Sequence, residues 1–195
     1  MLISHVIQDS SIEYEGQHAL VVFTRGCNAR CKYCHNKALL DGEGDTLGTF
    51  EDTLARYITP LDTAVVFCGG EPTINLDLLE CLRTARNAGL RTKVFTNGLI
   101  PDILIKAASE GILDACSIDF KDTLHVAELI DVDIWDSEYI TRVLYLANKL
   151  KERGVDVEFR TTEYDKQVGN RVEFFIKDRF GDTIPHIRQR MQEIV

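Results

Sequence analysis

The 195-residue chain lacks the features that would direct it into a membrane, out of the cell or onto a nucleic acid. It has no apolar run near the roughly 20 residues that a transmembrane helix needs. Residues 1–10 contain no basic region followed by an apolar stretch, which is the form of a signal peptide. No Lys/Arg run occurs, and a net charge of −9 disfavours binding to phosphate backbones. We therefore expect no membrane association and no nucleic-acid partner.

Repeats, low-complexity segments and linkers are missing as well. The hydrophobic share of 45% is enough for a substantial core in a chain of this length, so residues 1–195 are predicted to form a single domain. The chain has six cysteines but no export signal, and free thiols are typical of a reducing compartment. We therefore expect a cytoplasmic protein.

Short apolar runs alternate with helical patterns along the chain. The apolar runs predict β-strands at residues 19–23, 64–68, 92–95, 115–119, 155–159 and 172–176. Apolar residues at helical spacing predict helices at residues 76–88, 101–111 and 139–151. Strands of this kind joined by helices are typical of a parallel sheet that helices cover. Six such units are too few for a closed eight-stranded barrel, so the predicted fold is α/β, an open partial (β/α)6 barrel.

The most informative segment carries three cysteines within eight residues. Cys27, Cys31 and Cys34 follow the first predicted strand at the spacing C-x3-C-x2-C. An iron–sulfur cluster is usually held by four Cys thiolates. Three thiolates can hold three corners of a cubane [4Fe–4S] cluster and leave the fourth iron open, and an open position favours chemistry over a purely structural role. The spacing therefore predicts a catalytic cluster.

Zinc is the first alternative for this segment. A structural zinc site needs four ligands, commonly in two separate pairs, and no second Cys/His pair follows at such a spacing. His35 could supply a fourth ligand, although its position next to Cys34 would strain a tetrahedral site. A disulfide framework is the second alternative, and it is typical of much shorter secreted chains. The remaining cysteines, each in an apolar strand or helix, are predicted to be core residues: Cys68, Cys81 and Cys116.

A second loop of chemical interest follows the strand predicted at residues 64–68. It contains Gly69, Gly70 and Glu71, and Pro72 ends the strand. Two glycines let a backbone approach a ligand closely, and Glu71 adds a carboxylate. Alone, a Gly-Gly turn before a helix is common. Because loops at the carboxyl ends of parallel strands build the active sites of such folds, we expect this loop and the cysteine loop to form one site.

Polar residues at later strand ends are further candidate ligand contacts. Asn97 lies in a turn and could hydrogen-bond either a cofactor or its own backbone. Asp119 and Lys121 are two residues apart and share a face, where they suit a zwitterionic ligand or form a structural ion pair. Glu158 and Arg160 have the same spacing. Arg160 could bind a carboxylate through its guanidinium fork, or the two side chains could simply bridge each other.

The cysteine motif with an aromatic residue before its last Cys, together with a strand ending in Gly-Gly-Glu-Pro, resembles the radical S-adenosylmethionine (SAM) superfamily. The resemblance implies that the open iron binds the amino and carboxylate groups of SAM, and that reductive cleavage yields methionine and a 5′-deoxyadenosyl radical. The implied catalytic and metal-ligating residues are Cys27, Cys31 and Cys34. The implied cofactor-binding residues are Tyr33, near the adenine, Gly69, Gly70 and Glu71, on the SAM amino group, and Asn97, Asp119, Lys121 and Arg160.

Within the superfamily, the chain most resembles the activating enzymes of glycyl-radical enzymes, above all those of anaerobic ribonucleoside-triphosphate reductase and of pyruvate formate-lyase. The matching segments are residues 11–16, 22–28, 34–36, 96–98, 119–121 and 158–162. This resemblance implies a glycyl-radical enzyme as partner, with anaerobic ribonucleotide reductase expected, and hydrogen-atom abstraction from one of its glycines. It also implies a flavodoxin-like electron donor.

Two positions depart from the activating enzymes. Phe95 stands where they commonly carry an Asp that helps to hold a monovalent cation, and Glu15 replaces a usual Pro. Two other functions remain open: a radical SAM enzyme acting on a small molecule, such as 7-carboxy-7-deazaguanine synthase, and a non-catalytic iron–sulfur or zinc module. Residues 34–36 and 158–162 favour an activating enzyme over the first. A non-catalytic iron–sulfur or zinc module would not explain the Gly-Gly-Glu-Pro loop.

Overall fold

The computed structural model describes residues 1–165 and 167–190 and contains one seven-stranded sheet. The strands lie side by side in chain order; β1 pairs antiparallel with β2, and each later pair is parallel. In the described part of the chain β1 and β7 do not pair, so the sheet is not closed. The predicted α/β fold, an open partial barrel with six parallel strands, is confirmed. The strands are Ile3–Ser10 (β1), Ala19–Thr24 (β2), Ala64–Gly69 (β3), Arg91–Thr96 (β4), Ala115–Asp119 (β5), Asp156–Glu163 (β6) and His186–Arg190 (β7).

Helices connect the parallel strands. Each predicted helix is present within a few residues of its expected bounds, and α5 buries one stripe of apolar side chains at helical spacing, Tyr139, Val143, Leu146, Ala147 and Leu150. Within residues 1–165 and 167–190, no helix combines the length and the apolarity needed to cross a membrane. The helices are Phe50–Tyr57 (α1), Leu78–Asn87 (α2), Asp102–Ser109 (α3), Val126–Ile130 (α4), Asp136–Lys151 (α5) and Val168–Phe180 (α6).

The two faces of the sheet differ in chemistry. One face packs with the helices in the main hydrophobic core. The other, inner face carries a separate group of mostly small apolar residues. Four of them lie on β2 and β3, and the others are Tyr14, before β2, and Ala115, at the start of β5: Tyr14, Ala19, Val21, Ala64, Val66 and Ala115. Lys93 lies opposite Ala115, and Glu158 lies opposite Ser117, which is two residues further along β5. The inner face is therefore apolar on β2 and β3, whereas on β4 to β6 it carries charged and polar side chains among apolar ones.

The strand predicted at residues 172–176 is wrong, because this segment lies in α6. Short apolar runs do not distinguish a strand from a buried helical segment by periodicity alone. The structure resolves the ambiguity through burial: Phe174, in the middle of the run, is 77% exposed. The buried side chains recur instead every four residues, at Val168, Val172 and Ile176.

The sixth parallel strand is β7, which the apolar pattern did not predict. Its sequence is His-Ile-Arg-Gln-Arg, and most of its side chains are exposed. A strand at the edge of a sheet pairs on one side only, so its backbone hydrogen bonds can form without an apolar sequence. The antiparallel strand β1 also escaped prediction, and its burial pattern is likewise mostly exposed or intermediate.

Candidate active site

The carboxyl ends of the parallel strands surround one cavity of about 240 Å³. Every residue predicted for the cofactor site lines this cavity, although the residues come from five separate loops and strand ends. The structure thus brings together what the sequence distributes over more than 130 positions. These residues are Cys27, Cys31, Tyr33, Cys34, Gly69, Gly70, Glu71, Asn97, Asp119, Lys121 and Arg160.

The three cysteines lie in the loop after β2, and all three are free and half-buried. The loop is held by backbone hydrogen bonds that Gly26 N donates to Leu39 O (2.7 Å) and Cys27 N donates to Leu40 O (3.1 Å). Burial raises the pKa of the Cys27 thiol to about 11 and also raises the pKa of Cys31. Because iron binds the thiolate, loading a metal centre here must displace protons from these sulfurs.

The arrangement of the thiols bears on which metal group they fit. Among residues 1–165 and 167–190, no three His, Cys, Asp or Glu side chains converge on a point where a single ion could be held. A zinc ion needs all its ligands at about 2.0–2.3 Å from one centre, whereas each thiolate of a cubane binds a different iron. Three separate free thiols around one cavity fit the ligand set of a [4Fe–4S] cluster with one open iron.

Gly69 and Gly70 join the second loop to the cysteine loop. Gly70 N donates to Thr24 O (2.9 Å), and Glu71 N donates to Gly26 O (2.8 Å). A Cβ on Gly70 would collide with the carbonyl oxygen of Gly26, and one on Gly69 would lie 2.6 Å from Thr24 N. The expected reason for these glycines was the close approach of a ligand. The structure adds a different reason, because the nearest atoms belong to the protein backbone: those of Thr24, the last residue of β2, next to Gly69, and those of Gly26 in the cysteine loop next to Gly70.

We expect Gly70→Ala to separate the two loops. The added methyl has no room against backbone atoms, and overpacking of this kind typically costs about 1–3 kcal/mol. Because the cysteine loop would then shift, Gly70→Ala should bind less iron per chain than the wild type after anaerobic reconstitution. Gly89→Ala is the control, since Gly89 has nothing within 4 Å of the new methyl, and its positive φ (+81°) makes it no easier a site for alanine than Gly70. Equal iron content in the two variants would show that the loop contact does not support the metal site.

Glu71 is 1% exposed, and its carboxylate is engaged by the protein. It accepts hydrogen bonds from Thr73 Oγ1 (2.6 Å), Thr96 Oγ1 (2.9 Å) and Asn97 N (2.7 Å). Burial raises the pKa of Glu71, and these hydrogen bonds act in the opposite direction. The side chain therefore ties the loop after β3 to the end of β4.

Asn97 closes its own turn and also reaches the cysteine loop. Its Oδ1 accepts from Leu99 N (3.0 Å), and its Nδ2 donates to Asn28 Oδ1 (2.8 Å). The hydrogen bond from Leu99 N is the backbone role expected for Asn97. The bond to Asn28 is an additional contact, which connects the end of β4 to the segment between Cys27 and Cys31.

Asp119 and Lys121 form an ion pair, which is one of the two alternatives for these residues, and both also line the cavity. Burial opposes the charge of Lys121, yet the neighbouring Asp119 carboxylate raises the pKa of Lys121 well above its usual value. Within the described residues, Asp119 Oδ1 and Tyr33 OH are buried without a hydrogen-bond partner. Buried polar atoms are rarely left unpaired. Two such atoms in one cavity fit a polar ligand such as SAM.

The Nε atom of Arg160 is held by a hydrogen bond, whereas its Nη atoms are available to a ligand. Its Nε donates to Glu158 Oε1 (2.8 Å), which also accepts from Lys93 Nζ (3.0 Å). Its guanidinium carbon lies 4.5 Å from the centre of the Phe95 ring, within the range of a cation–π contact. In residues 1–165 and 167–190, its Nη atoms make no hydrogen bond to the protein. The guanidinium end is thus directed by its neighbours and available to an acceptor in the cavity.

The aromatic ring of Phe95 makes cation–π contacts with two charged side chains. Lys93 Nζ lies 5.1 Å from the ring centre, and Arg160 approaches the same ring. The ring accommodates two side-chain cations where the activating enzymes commonly place an Asp.

Cys68 corrects one expectation about the core cysteines. Cys81 and Cys116 are buried as predicted. Cys68 is only half-buried and lines the cavity, because it is the penultimate residue of β3 and belongs to the inner face beside Phe23 and Phe95. Desolvation raises the pKa of its thiol, so the group is a neutral part of the cavity wall. The apolar strand around it could not reveal which face it would occupy.

Other cavity residues were not predicted. Asn36 donates from Nδ2 to Gly69 O (3.1 Å) and forms a further link between the two loops. Gln189 belongs to β7, and without that strand nothing in the sequence could have assigned it to the site. The remaining lining residues outside the predicted cofactor-binding set are Ala29, His35, Leu40, Phe95, Thr96, Ser117 and Thr162.

Behind the cavity, Tyr33 is supported by a second aromatic ring. Tyr164 stacks on it with ring centres 5.1 Å apart. Tyr164 OH donates to Asp122 Oδ2 (2.5 Å), and Arg171 Nη2 donates to the same oxygen (2.6 Å). The fully buried Asp122 therefore connects α6 to the aromatic residue of the cysteine motif.

Asp122 also predicts a pH dependence of stability. Burial alone would raise its pKa, but the hydrogen bonds from Arg171 and Tyr164 hold the pKa of Asp122 below its usual 3.8. A depressed folded-state pKa adds stability that is complete above the unfolded value and is lost as the pH falls through the folded one. We expect Asp122→Asn to lower the free energy of unfolding by about 1–2 kcal/mol at pH 7. The difference from wild type should shrink below pH 3.8, as measured by urea titration. A pH-independent difference would contradict this assignment.

Comparison with known proteins identifies relatives for this fold and site. The model of the Radical SAM superfamily matches residues 21–165. A Methanocaldococcus jannaschii protein proposed to be a glycyl-radical enzyme activating enzyme is 30% identical over 164 residues, which are 83% of this chain and 68% of that protein. PqqA peptide cyclase from Bradyrhizobium diazoefficiens is 35% identical over 83 residues, or 42% of this chain and 22% of the cyclase.

A solved structure has a similar fold. Streptococcus suis SuiB bound to S-adenosylmethionine superposes with a TM-score of 0.69 at 18% identity, over 90% of this chain and 41% of SuiB. The chain thus spans about two thirds of the Methanocaldococcus protein and less than half of the other two relatives.

Proposed function

This chain belongs to the radical SAM superfamily, and from that premise we propose that it activates a glycyl-radical enzyme. Enzymes of the superfamily use a [4Fe–4S] cluster and SAM. The proposed reaction is the removal of one hydrogen atom from a glycine Cα of a partner enzyme, which stores the radical. Anaerobic ribonucleoside-triphosphate reductase is the partner that we propose, with a flavodoxin-like protein as electron donor.

One structural observation supports a protein substrate most directly. In the described part of the chain the sheet is open between β1 and β7, and the cavity extends to Gln189 on β7. A cavity that reaches the open side of a partial barrel can receive a loop of another protein. The Methanocaldococcus relative, matched over 83% of this chain, supports the same proposal.

The residues of the cavity have separate tasks in this proposal. When bound, the cluster and SAM supply the 5′-deoxyadenosyl radical. Cys27, Cys31 and Cys34 hold the cluster. The free guanidinium end of Arg160 binds the SAM carboxylate, which it matches in charge and in its paired donors. Asp119 Oδ1, buried and unpartnered within the described residues, accepts a hydrogen bond from SAM.

The supporting residues keep these groups in place. Lys121 stays protonated, because Asp119 raises the pKa of its ammonium, and it balances the carboxylate charge next to SAM. Gly69, Gly70 and Glu71 hold the second loop against the cysteine loop, so their contact with SAM comes from the backbone. Tyr33 forms the cavity wall on the adenine side, with Asn97 bracing the loop that carries Cys27.

The experiment combines the anaerobically reconstituted protein with SAM, a reductant and the anaerobic ribonucleotide reductase of the same genome. Electron paramagnetic resonance detects the radical, and 5′-deoxyadenosine is quantified in the same tube. A glycyl-radical doublet with deoxyadenosine formation is the expected result. Deoxyadenosine without the doublet would overturn the proposed partner and favour another substrate, such as a peptide or a small molecule. A chain that cleaves no SAM would overturn the radical chemistry.

A further inference from the structure

A short helix outside the cavity holds the segment around Cys31. The carbonyl oxygens at its end accept backbone hydrogen bonds from the cysteine loop: Arg30 N donates to Ile130 O (2.7 Å), and Lys32 N donates to Leu129 O (3.0 Å). The last four carbonyls of a helix have no partner within the helix. In α4, two of them bind the residues on either side of Cys31, so the backbone of this cysteine is held from both sides.

The other end of α4 depends on one side chain of α5. Asp136 Oδ2 accepts from His125 N (2.6 Å), and Asp136 Oδ1 accepts from Ala127 N (3.0 Å). Both carboxylate oxygens therefore satisfy amides at the start of α4 that would otherwise lack partners. A helix of five residues is not stable alone in water, so its position depends on contacts of this kind and on its buried side chains.

The backbone at both ends of α4 is unusual. His125 (φ 55°) and Asp131 (φ 51°) flank the helix in the left-handed region, and they are two of the three non-glycine residues with positive φ in the described part of the chain. Such conformations persist where the surrounding structure determines them. The helix is therefore held in place by its neighbours and not by local preference.

We propose that α4 is a strut that positions Cys31, and that Asp136 is a positioning residue acting through it. Asp136 does not line the cavity, so its effect reaches the thiol only through α4 and the amides of Arg30 and Lys32. In this proposal α4 fixes the backbone position of Cys31 before the cluster binds. The proposal rests on the superfamily cluster at the three cysteines and does not depend on the identity of the partner enzyme.

The test compares the full-length reconstituted wild type with Asp136→Ala under anaerobic conditions. Hydrogen exchange measured by mass spectrometry follows the amides of Arg30 and Lys32, and a chelator follows the rate of iron release. In Asp136→Ala we expect both amides to exchange at least about tenfold faster than in the wild type. We also expect iron to be released about tenfold faster, because loss of a residue that supports a metal ligand typically lowers metal affinity by about 10–100-fold. Asp136→Asn keeps one acceptor oxygen and should give intermediate rates, and it remains informative if the alanine variant does not fold.

Glu138→Ala is the matched control. Glu138 lies in the same first turn of α5 and pairs with Arg142 (2.6 Å), and we expect it to leave exchange at Arg30 and Lys32 and the rate of iron release unchanged. The proposal is overturned if the Asp136 variants keep wild-type rates at both amides and for iron, or if Glu138→Ala accelerates them equally. These readouts involve no partner, so they are independent of the glycyl-radical assay.

Discussion

Replacing Cys27, Cys31 or Cys34 by alanine is expected to abolish SAM cleavage in each single variant. Loss of a residue that only supports a metal ligand typically costs 10–100-fold in metal affinity or activity, so loss of a ligand should lower the rate by more than about 100-fold. The reason is that each thiolate of a cubane binds its own iron. The measurement is 5′-deoxyadenosine formed per chain, with iron content determined on the same samples.

Cys81→Ala and Cys116→Ala are the controls for this experiment. Both side chains are buried away from the cavity, so SAM cleavage should persist while the free energy of unfolding falls slightly. Cys68→Ala should also retain cleavage, and it is the more demanding control because Cys68 lines the cavity. Retained cleavage after any one of the three ligand substitutions would remove that cysteine from the proposed cluster site.

The second large effect is expected at Lys121. Lys121→Met leaves the Asp119 carboxylate without its partner, and breaking a buried ion pair commonly costs about 3–5 kcal/mol. Because the Asp119 side chain is 35% exposed, we expect a loss nearer about 2 kcal/mol in the free energy of unfolding. SAM binding, measured by equilibrium dialysis on the reconstituted protein, should weaken by at least about tenfold, or 1.4 kcal/mol.

The double variant Asp119→Leu/Lys121→Met separates structure from binding, because leucine has neither the charge nor the acceptor oxygen of Asp119. Removing both charges leaves no unpaired ion, so stability should return close to that of the wild type. If Asp119 Oδ1 contacts SAM, binding should stay weak although the protein is again stable. Recovery of SAM binding together with stability would show that the pair is only structural.

Much of the fold was predictable because it depends on local patterns. The strands at the centre of the sheet are short apolar runs, and their order along the chain is also their order in the sheet. The exceptions have physical reasons. Residues 172–176 form part of α6, since a five-residue apolar run does not define its own period. β1 and β7 lie at the edges of the sheet and need little apolar sequence.

The sequence by itself determined the chemistry available to this protein. Three cysteines at a fixed spacing and a Gly-Gly-Glu-Pro turn are contiguous motifs, so their ligand types and their place at one end of the sheet can be inferred without a structure. Whether each polar residue is engaged or free was decided only by the tertiary structure. Glu71 is held by donors from its own turn and from the end of β4, whereas Arg160 keeps its guanidinium end open over Phe95.

The support of Cys31 likewise arises only on folding. Its neighbours Arg30 and Lys32 bind α4, about 100 positions away in the chain, and α4 is capped by Asp136. Hydrogen bonds between such distant segments leave no periodic or spacing signal in a single sequence, because they depend on which backbones the packed sheet and helices bring within 3 Å of each other.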